Sequence, residues 1–253
     1  MDGLASPTAA WARIAHADAW EEIGRHRSAS GGGTARLPGV RLMATGLPHP
    51  QWNNGDVDDP EAVDLQAVRD WYRQRGVPWG LRLPAGAPWP HGRKLFTKRL
   101  MGLVPQAFAI ATPPKGTGIR LAAPADIAAV VAVDSIAFQS TGDLERAWLE
   151  PFVTQPSAKV ALAERNGEVV GTGYCVQTRG DAGPAGYVAG IGVLPNARRT
   201  GIGAALSSWL VAAVLDAGAE LVHLHPDTDH AAAIYRRLGF VEVGGFDVYV
   251  DMA

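Results

Sequence analysis

The 253-residue chain predicts a mixed α/β sheet (α+β in its segregation), and three observations carry that reading. Short runs rich in β-branched residues alternate with helix-period patterns through the second half. Asn166-Gly167, set between two apolar runs, is the strongest short signal for a β-hairpin. A long amphipathic pattern over residues 201–217 follows directly on a β-branched run. Strand, two helices, three antiparallel strands, then helix, strand, helix, strand describes the second half.

In chain order, residues 8–27 read as a helix with Trp11, Ile14 and Ile23 inward. A strand is expected at 40–45, a helix at 64–75 and a strand at 79–83. A helix is expected at 91–102 and a strand at 106–111. This half is no tail, since it holds six of the eight tryptophans. Residues 112–118, Thr-Pro-Pro-Lys-Gly-Thr-Gly, can continue neither a helix nor a central strand and read as a linker. Beyond it come a strand at 119–122, helices at 124–133 and 143–153, and strands at 159–164, 168–176 and 187–193. The helix at 201–217, a strand at 221–225, a helix at 231–238 and a strand at 240–251 complete the order. The elements from Val40 repeat the order of those from Tyr187, and a weak internal duplication is the simplest account.

Composition bounds the function. With 47% hydrophobic and 19% charged residues the chain can bury a core. No apolar run approaches the ~20 residues of a membrane span, and no secretory signal is evident at the N-terminus. A single cysteine, Cys175, excludes an internal disulfide and a cysteine zinc cluster, and a reduced, cytoplasmic setting is expected. Cys175 reads as packing. His223 and His225, one pleat apart, would need further ligands to bind a metal, so none is expected. Residues 1–117 carry 14 basic and 10 acidic side chains, and residues 118–253 carry 9 and 15. Neither half is basic enough to indicate nucleic acid. An acidic second half would mildly steer a cationic, amine-bearing substrate, and ordinary variation between domains accounts for the asymmetry equally well. Arg93, Lys94, Lys98 and Arg99 read as a solvated helix face, or as a surface docked on the acidic half.

The most informative stretch is Val193-Leu194-Pro195-Asn196-Ala197-Arg198-Arg199-Thr200-Gly201-Ile202-Gly203-Ala204. A strand ends, a loop with arginines and two glycines follows, and a helix begins. Unpaired N–H groups at a helix start favour an anion, and glycine lets it approach the backbone. The implied ligand is a phosphate or pyrophosphate. The third glycine of a dinucleotide-binding fingerprint and the lysine of a P-loop are absent. A second stretch, Ala231-Ala232-Ala233-Ile234-Tyr235-Arg236-Arg237-Leu238-Gly239-Phe240, is a helix closed by glycine.

Together the two stretches resemble the GNAT superfamily of N-acetyltransferases. Its acetyl-CoA loop reads Arg/Gln-x-x-Gly-x-Gly/Ala, which Arg198, Gly201 and Gly203 fill. Its later helix reads Asn-x-x-Ala-x-x-x-Tyr before Leu-Gly-Phe. Ala231, Tyr235, Leu238, Gly239 and Phe240 match that pattern, and Thr228 stands in place of the Asn. The resemblance implies a GNAT fold over 119–253, after a linker at 113–118. Residues 1–112 are expected to be a degenerate GNAT-like copy unable to bind coenzyme A, since the loop at 46–63 holds no Arg-x-x-Gly-x-Gly and carries Asp58 and Asp59, which would repel a pyrophosphate. It implies acetyl-CoA as cosubstrate and direct transfer of an acetyl group to a primary amine, on a small molecule or a protein. The amides of Arg199, Thr200, Gly201, Ile202, Gly203 and Ala204 would hold the pyrophosphate, assisted by Arg198. The Val193 backbone would bond the pantetheine arm, and Tyr235 would protonate the leaving thiolate. Tandem domains would let one chain serve as a monomer.

The strand into the loop lacks the carboxylate common in the family. Tyr187, His225, Asp143 after the Ser140-Thr141-Gly142 loop, or a water chain stand as substitutes for the base. A non-catalytic coenzyme A-binding or sensing protein is the alternative reading. Laying Leu100-Met101-Gly102-Leu103 over Arg237-Leu238-Gly239-Phe240 puts Lys98 at the place of Tyr235.

Overall fold

The computed structural model describes residues 6–140 and 143–251, apart from the side chains of Ala29 and Asp143. Its first half contains α1 (Ala9–Arg25), β1 (Gly33–Leu37), β2 (Val40–Ala44), β3 (Asn54–Val57), α2 (Leu65–Arg73), β4 (Gly80–Pro84) and β5 (Arg93–Leu103). The second contains β6 (Thr117–Leu121), α3 (Ile127–Phe138), α4 (Asp143–Thr154), β7 (Ala158–Arg165), β8 (Glu168–Gly180) and β9 (Gly183–Val193). It closes with α5 (Ile202–Leu215), β10 (Leu221–Leu224), α6 (Asp229–Arg237) and β11 (Val241–Val250). All eleven strands form one mixed sheet in the order β1-β2-β3-β4-β11-β5-β10-β9-β8-β7-β6.

That order exchanges the closing strands of the two halves. Each half lays down antiparallel strands and then a parallel strand–helix–strand crossover, β3-α2-β4 and β9-α5-β10. The last strand of each then leaves its own half. β5 pairs with β10, β11 pairs with β4, and β5 and β11 pair with each other at the centre. The duplicated order is therefore visible in the topology, although through different elements from those the sequence suggests.

Local chemistry explains the elements that were legible. Asn166 and Gly167 adopt φ of 52° and 82°, as a two-residue turn between β7 and β8 requires. The Thr8 hydroxyl accepts from the Trp11 N–H at 3.1 Å and starts α1. Along β7, Val160 and Leu162 face a core with α1, α3 and α4, whereas Ala161 and Ala163 face a second core under α5. Cys175 is buried in that second core, as expected for packing. A third core lies between α2 and β2 to β4, around Tyr72.

Several expectations are corrected. Residues 91–102 form a strand, β5, not a helix, because β5 lies between β10 and β11 and completes both ladders. Leu100, Met101 and Leu103 are buried, so period-2 alternation gives way to a continuous apolar run. Lys98 therefore does not occupy a position equivalent to Tyr235. Residues 106–111 join no ladder; the Ala109 and Ala111 N–H groups donate to Leu238 O and Ser208 Oγ, both at 3.0 Å. The stretch read as loop at 46–63 contains β3, and β1 was missed altogether. Ile14 is 39% exposed rather than inward, because α1 shows that flank to a surface cavity.

Arg93, Lys94, Lys98 and Arg99 lie on β5, and three of them meet acids of the second half. Lys94 pairs with Asp247 at 2.7 Å, Arg99 with Asp229 at 2.8 Å, and Lys98 with Asp227 at 3.8 Å. Docking on the acidic half describes these three; Arg93 stays exposed.

Candidate active site

The β9–α5 junction builds the first part of the site. β9 carries a bulge opposite Thr172 and Tyr174, where Gly190 adopts φ +63° close under the Tyr174 ring. Beyond the bulge the strand diverges from β10, since their parallel ladder covers only residues 185–187 and 221–223. After β9 the chain turns through Pro195–Ala197, and Gly201 caps α5 at φ +93°. No side chain caps this helix. Its first backbone bond runs from Ala205 N–H to Gly201 O, and the amides of 199–204 have no acceptor among the described residues. Free amides at a helix start form an anion site.

The glycines leave room at that site. A Cβ on Gly203 would meet only Val193 Cγ2 at 3.8 Å, and one on Gly201 only Pro114 Cγ at 3.5 Å. Their open side faces a groove of about 860 Å³ that Val193, Arg198, Arg199, Ile202, Ala204 and Tyr235 help to line. Arg198 itself is engaged elsewhere: its Nε donates to Val193 O at 2.9 Å and its Nη2 to Ala137 O at 3.0 Å. It braces the loop against the end of α3. Arg199, held at φ +59°, is exposed, as is Arg198. The Thr200 hydroxyl donates to Ala197 O at 2.7 Å.

On α6, Thr228 is the N-cap, accepting from the Ala231 N–H at 3.1 Å. Tyr235, two turns further on, sits where the groove meets a second chamber of about 500 Å³ and lines both. Burial and the charge of Asp227 push its hydroxyl up to about 12, partly opposed by a hydrogen bond with Ser207.

Both halves of the chain wall that second chamber. Trp20 of α1, Trp52, and Lys98 of β5 face Tyr187, His225 and Tyr235. Of the expected bases, Tyr187 and His225 are brought together, with hydroxyl and Nε2 2.7 Å apart. Burial first, then the charges of Lys98 and Arg82, hold His225 well below the usual histidine range, so its ring is neutral near pH 7. Its Nδ1 is buried without a hydrogen-bond partner among the described residues, 3.9 Å from Asp227 Oδ1. His223 stacks on Tyr187 at 5.2 Å, and burial pushes it down to about 3. Thr141, Gly142 and the Asp143 side chain lie outside the described residues; Ser140 lines the chamber.

Sequence reasoning missed Lys98 as a wall residue, and it missed Asp134 and Glu145. Asp134 did leave a signal, as the one acid within the apolar run Ile-Ala-Ala-Val-Val-Ala-Val-Asp-Ser-Ile of α3. An acid on an otherwise apolar helix needs an explanation.

Residues 130–240 match the model of the acetyltransferase (GNAT) family. A mycothiol acetyltransferase of Paenarthrobacter aurescens is 32% identical over 221 residues, covering 73% of this chain and 68% of that protein. This chain belongs to the GNAT acetyltransferase family. A second mycothiol acetyltransferase, from Thermobispora bispora, is 32% identical over 203 residues; the match covers 75% of this chain and 61% of that protein's length. Among solved structures, a GCN5-related N-acetyltransferase from Kribbella flavida superposes with a TM-score of 0.72 at 20% identity, covering 95% and 96% of the two chains. A tandem GNAT protein from the clavulanic acid biosynthesis pathway gives 0.57 at 14% identity, with 96% of each chain covered. Both share the fold. Among the described residues no helix is long and apolar enough to cross a membrane.

Proposed function

We propose that the chain transfers an acetyl group from acetyl-CoA to a primary amine of a small molecule, by direct attack and without a covalent acyl-enzyme. The observation that carries this reading is the meeting of two cavities at one phenol. A groove with six unsatisfied amides and an aromatic chamber open onto each other at Tyr235. The groove fits a pyrophosphate-bearing thioester, since its donors are uncapped and its glycines add no side chain.

In this reading the amides of residues 199–204 bind the pyrophosphate, and the β9 backbone at Val193 lies along the pantetheine arm. The acceptor's neutral nitrogen forms the new amide bond as the thioester C–S bond breaks. His225 receives the amine's proton. Assigning the ring hydrogen to Nδ1, beside Asp227, leaves Nε2 to accept from the Tyr187 hydroxyl at 2.7 Å, which takes up the amine's proton as it passes its own to the ring. The Tyr235 hydroxyl, protonated throughout the neutral range, donates to the departing sulfur, whose thiol has an ordinary pKa near ~8.5.

Residues 1–112 are, in the same reading, a degenerate copy that has become a wall of the acceptor chamber. The relatives' acceptor, as their name gives it, belongs to the mycothiol system; for this chain the proposal extends to a small amine.

Acetyl-CoA-dependent thiol release over an amine panel tests the proposal. Tyr235→Phe keeps the ring and removes the donor, and turnover should fall about 10- to 1,000-fold with acetyl-CoA affinity unchanged. His225→Gln should lower turnover and remove the acid limb of its pH profile, which wild type shows as His225 gains a proton. Unchanged turnover in both variants, or no thiol release with any amine, would reject the reading.

A further inference from the structure

The acceptor chamber holds two carboxylates that the acyl-transfer chemistry does not use. Asp134, on α3, is only 8% exposed and lines the chamber. Glu145, on α4, lines it too, and its Oε2 is buried with no hydrogen-bond partner. Among the described residues neither carboxylate has an ion pair or a side-chain hydrogen bond. The nearby cations are committed elsewhere. Arg27 gives its two terminal nitrogens to the carbonyls of Ala147 and Trp148, Arg146 lies 3.8 Å from Glu150, and Lys98 faces Asp227. His49 is near Glu145, but burial lowers its pKa and favours the neutral ring.

Two carboxylates facing each other in an apolar wall are costly unless something supplies the positive charge. The strain is visible in Asp134, which burial, then Glu145, raises to about 7. What surrounds them is suited to a cation. Trp52 and Trp148 stack at 4.9 Å, Trp20 lies 5.8 Å from Trp148, and Trp20, Trp52 and Trp148 all line the chamber. Arg82 and Arg27 already lie over the Trp20 and Trp148 rings, at 4.4 and 4.8 Å, so the aromatic wall acts by keeping water from the two carboxylates.

We infer that Asp134 and Glu145 form a cation subsite, which binds a second positive group of the acceptor while its reacting amine lies near His225 and Tyr235. The substrate class is a diamine or polyamine, or an amino compound with a second ammonium. This rests on the acyl-transfer reading for the reacting end and on the unpaired carboxylates for the other.

The test compares α,ω-diamines with ω-amino alcohols of matched length, which differ only in the distal charge. Two readouts are used: acetyl-CoA-dependent thiol release, and quenching of tryptophan fluorescence on amine binding without acetyl-CoA. Wild type should favour the diamine at least about 10-fold in kcat/KM, mostly through KM, as charge-assisted hydrogen bonds in a dry site allow. Asp134→Asn and Glu145→Gln should each erode that preference, and the double variant should remove it. Activity on the amino alcohol should persist. Equal kcat/KM for the matched pair, or a preference that survives in the double variant, overturns the subsite. Diamine binding that depends on Asp134 without any thiol release supports the subsite and rejects acetyl transfer. Absence of both binding and turnover rejects the subsite as well.

Discussion

In the second half, β9 leads through a 3₁₀ turn and Gly201 into α5; in the first, β3 leads through residues 58–64 into α2. The two crossovers share topology and differ in what finishes them. Asp64 caps α2, and its Oδ1 accepts from the Gln66 and Ala67 N–H groups at 2.9 and 3.1 Å. Gly201 caps α5 and supplies no acceptor. One helix start is satisfied internally; the other leaves its donors for a ligand. The last register pair of each parallel ladder differs in the same way. It is Asp56 with Arg82 in the first half and Tyr187 with His223 in the second. Arg82 holds Asp56 through two bonds, at 2.6 and 2.8 Å, and closes that position. Tyr187 keeps its hydroxyl for His225 in a chamber. His16 of α1 touches both places, 3.2 Å from Arg82 and edge-on to Tyr187 with ring centres 5.2 Å apart. The contrast teaches that the crossover provides a location, and unfinished hydrogen bonding makes it a site.

Three substitutions can break or sharpen that contrast. The largest effect on ligand binding is expected from Gly203→Val, which fills the groove without a protein clash. Acetyl-CoA affinity should fall more than ~100-fold, a loss of about 2.7 kcal/mol or more, while the unfolding temperature stays near wild type. Calorimetry showing wild-type affinity would remove the loop from the site. Next is Arg82→Met, which leaves Asp56 buried without its partner. The expected cost is about 3–5 kcal/mol of stability, read by urea unfolding. A cost near zero would mean that the first-half pair is not a structural closure. The smallest is Asp64→Ala, which uncaps α2 and should cost about 1 kcal/mol. It should leave acetyl-CoA binding stoichiometry unchanged, because Asp58 and Asp59 still repel a pyrophosphate there. A second coenzyme bound per chain in this variant would show that the cap alone separates the two crossovers.

The elements legible in the sequence are those whose cause lies within a few residues. Asn166-Gly167 dictates its turn by backbone conformation. Gly201 and Gly203 mark a helix start with free amides, and Leu238-Gly239-Phe240 ends α6 and begins β11. These signals also yielded the groove residues and Tyr235. What only the tertiary structure decided depends on partners far along the chain. Lys94, Lys98 and Arg99 look like one helix face in isolation. They belong to a strand because β10 and β11, more than a hundred residues away, supply the ladders on both sides of it, and Asp247, Asp227 and Asp229 lie beside the three cations. The aromatic chamber is equally non-local, since its walls come from α1, β5, α3, α4, β9 and α6. Local sequence fixes φ, ψ and capping, which depend on neighbours in the chain. Strand exchange and the pairing of buried charges depend on which surfaces meet after collapse, and no short window of sequence contains both partners.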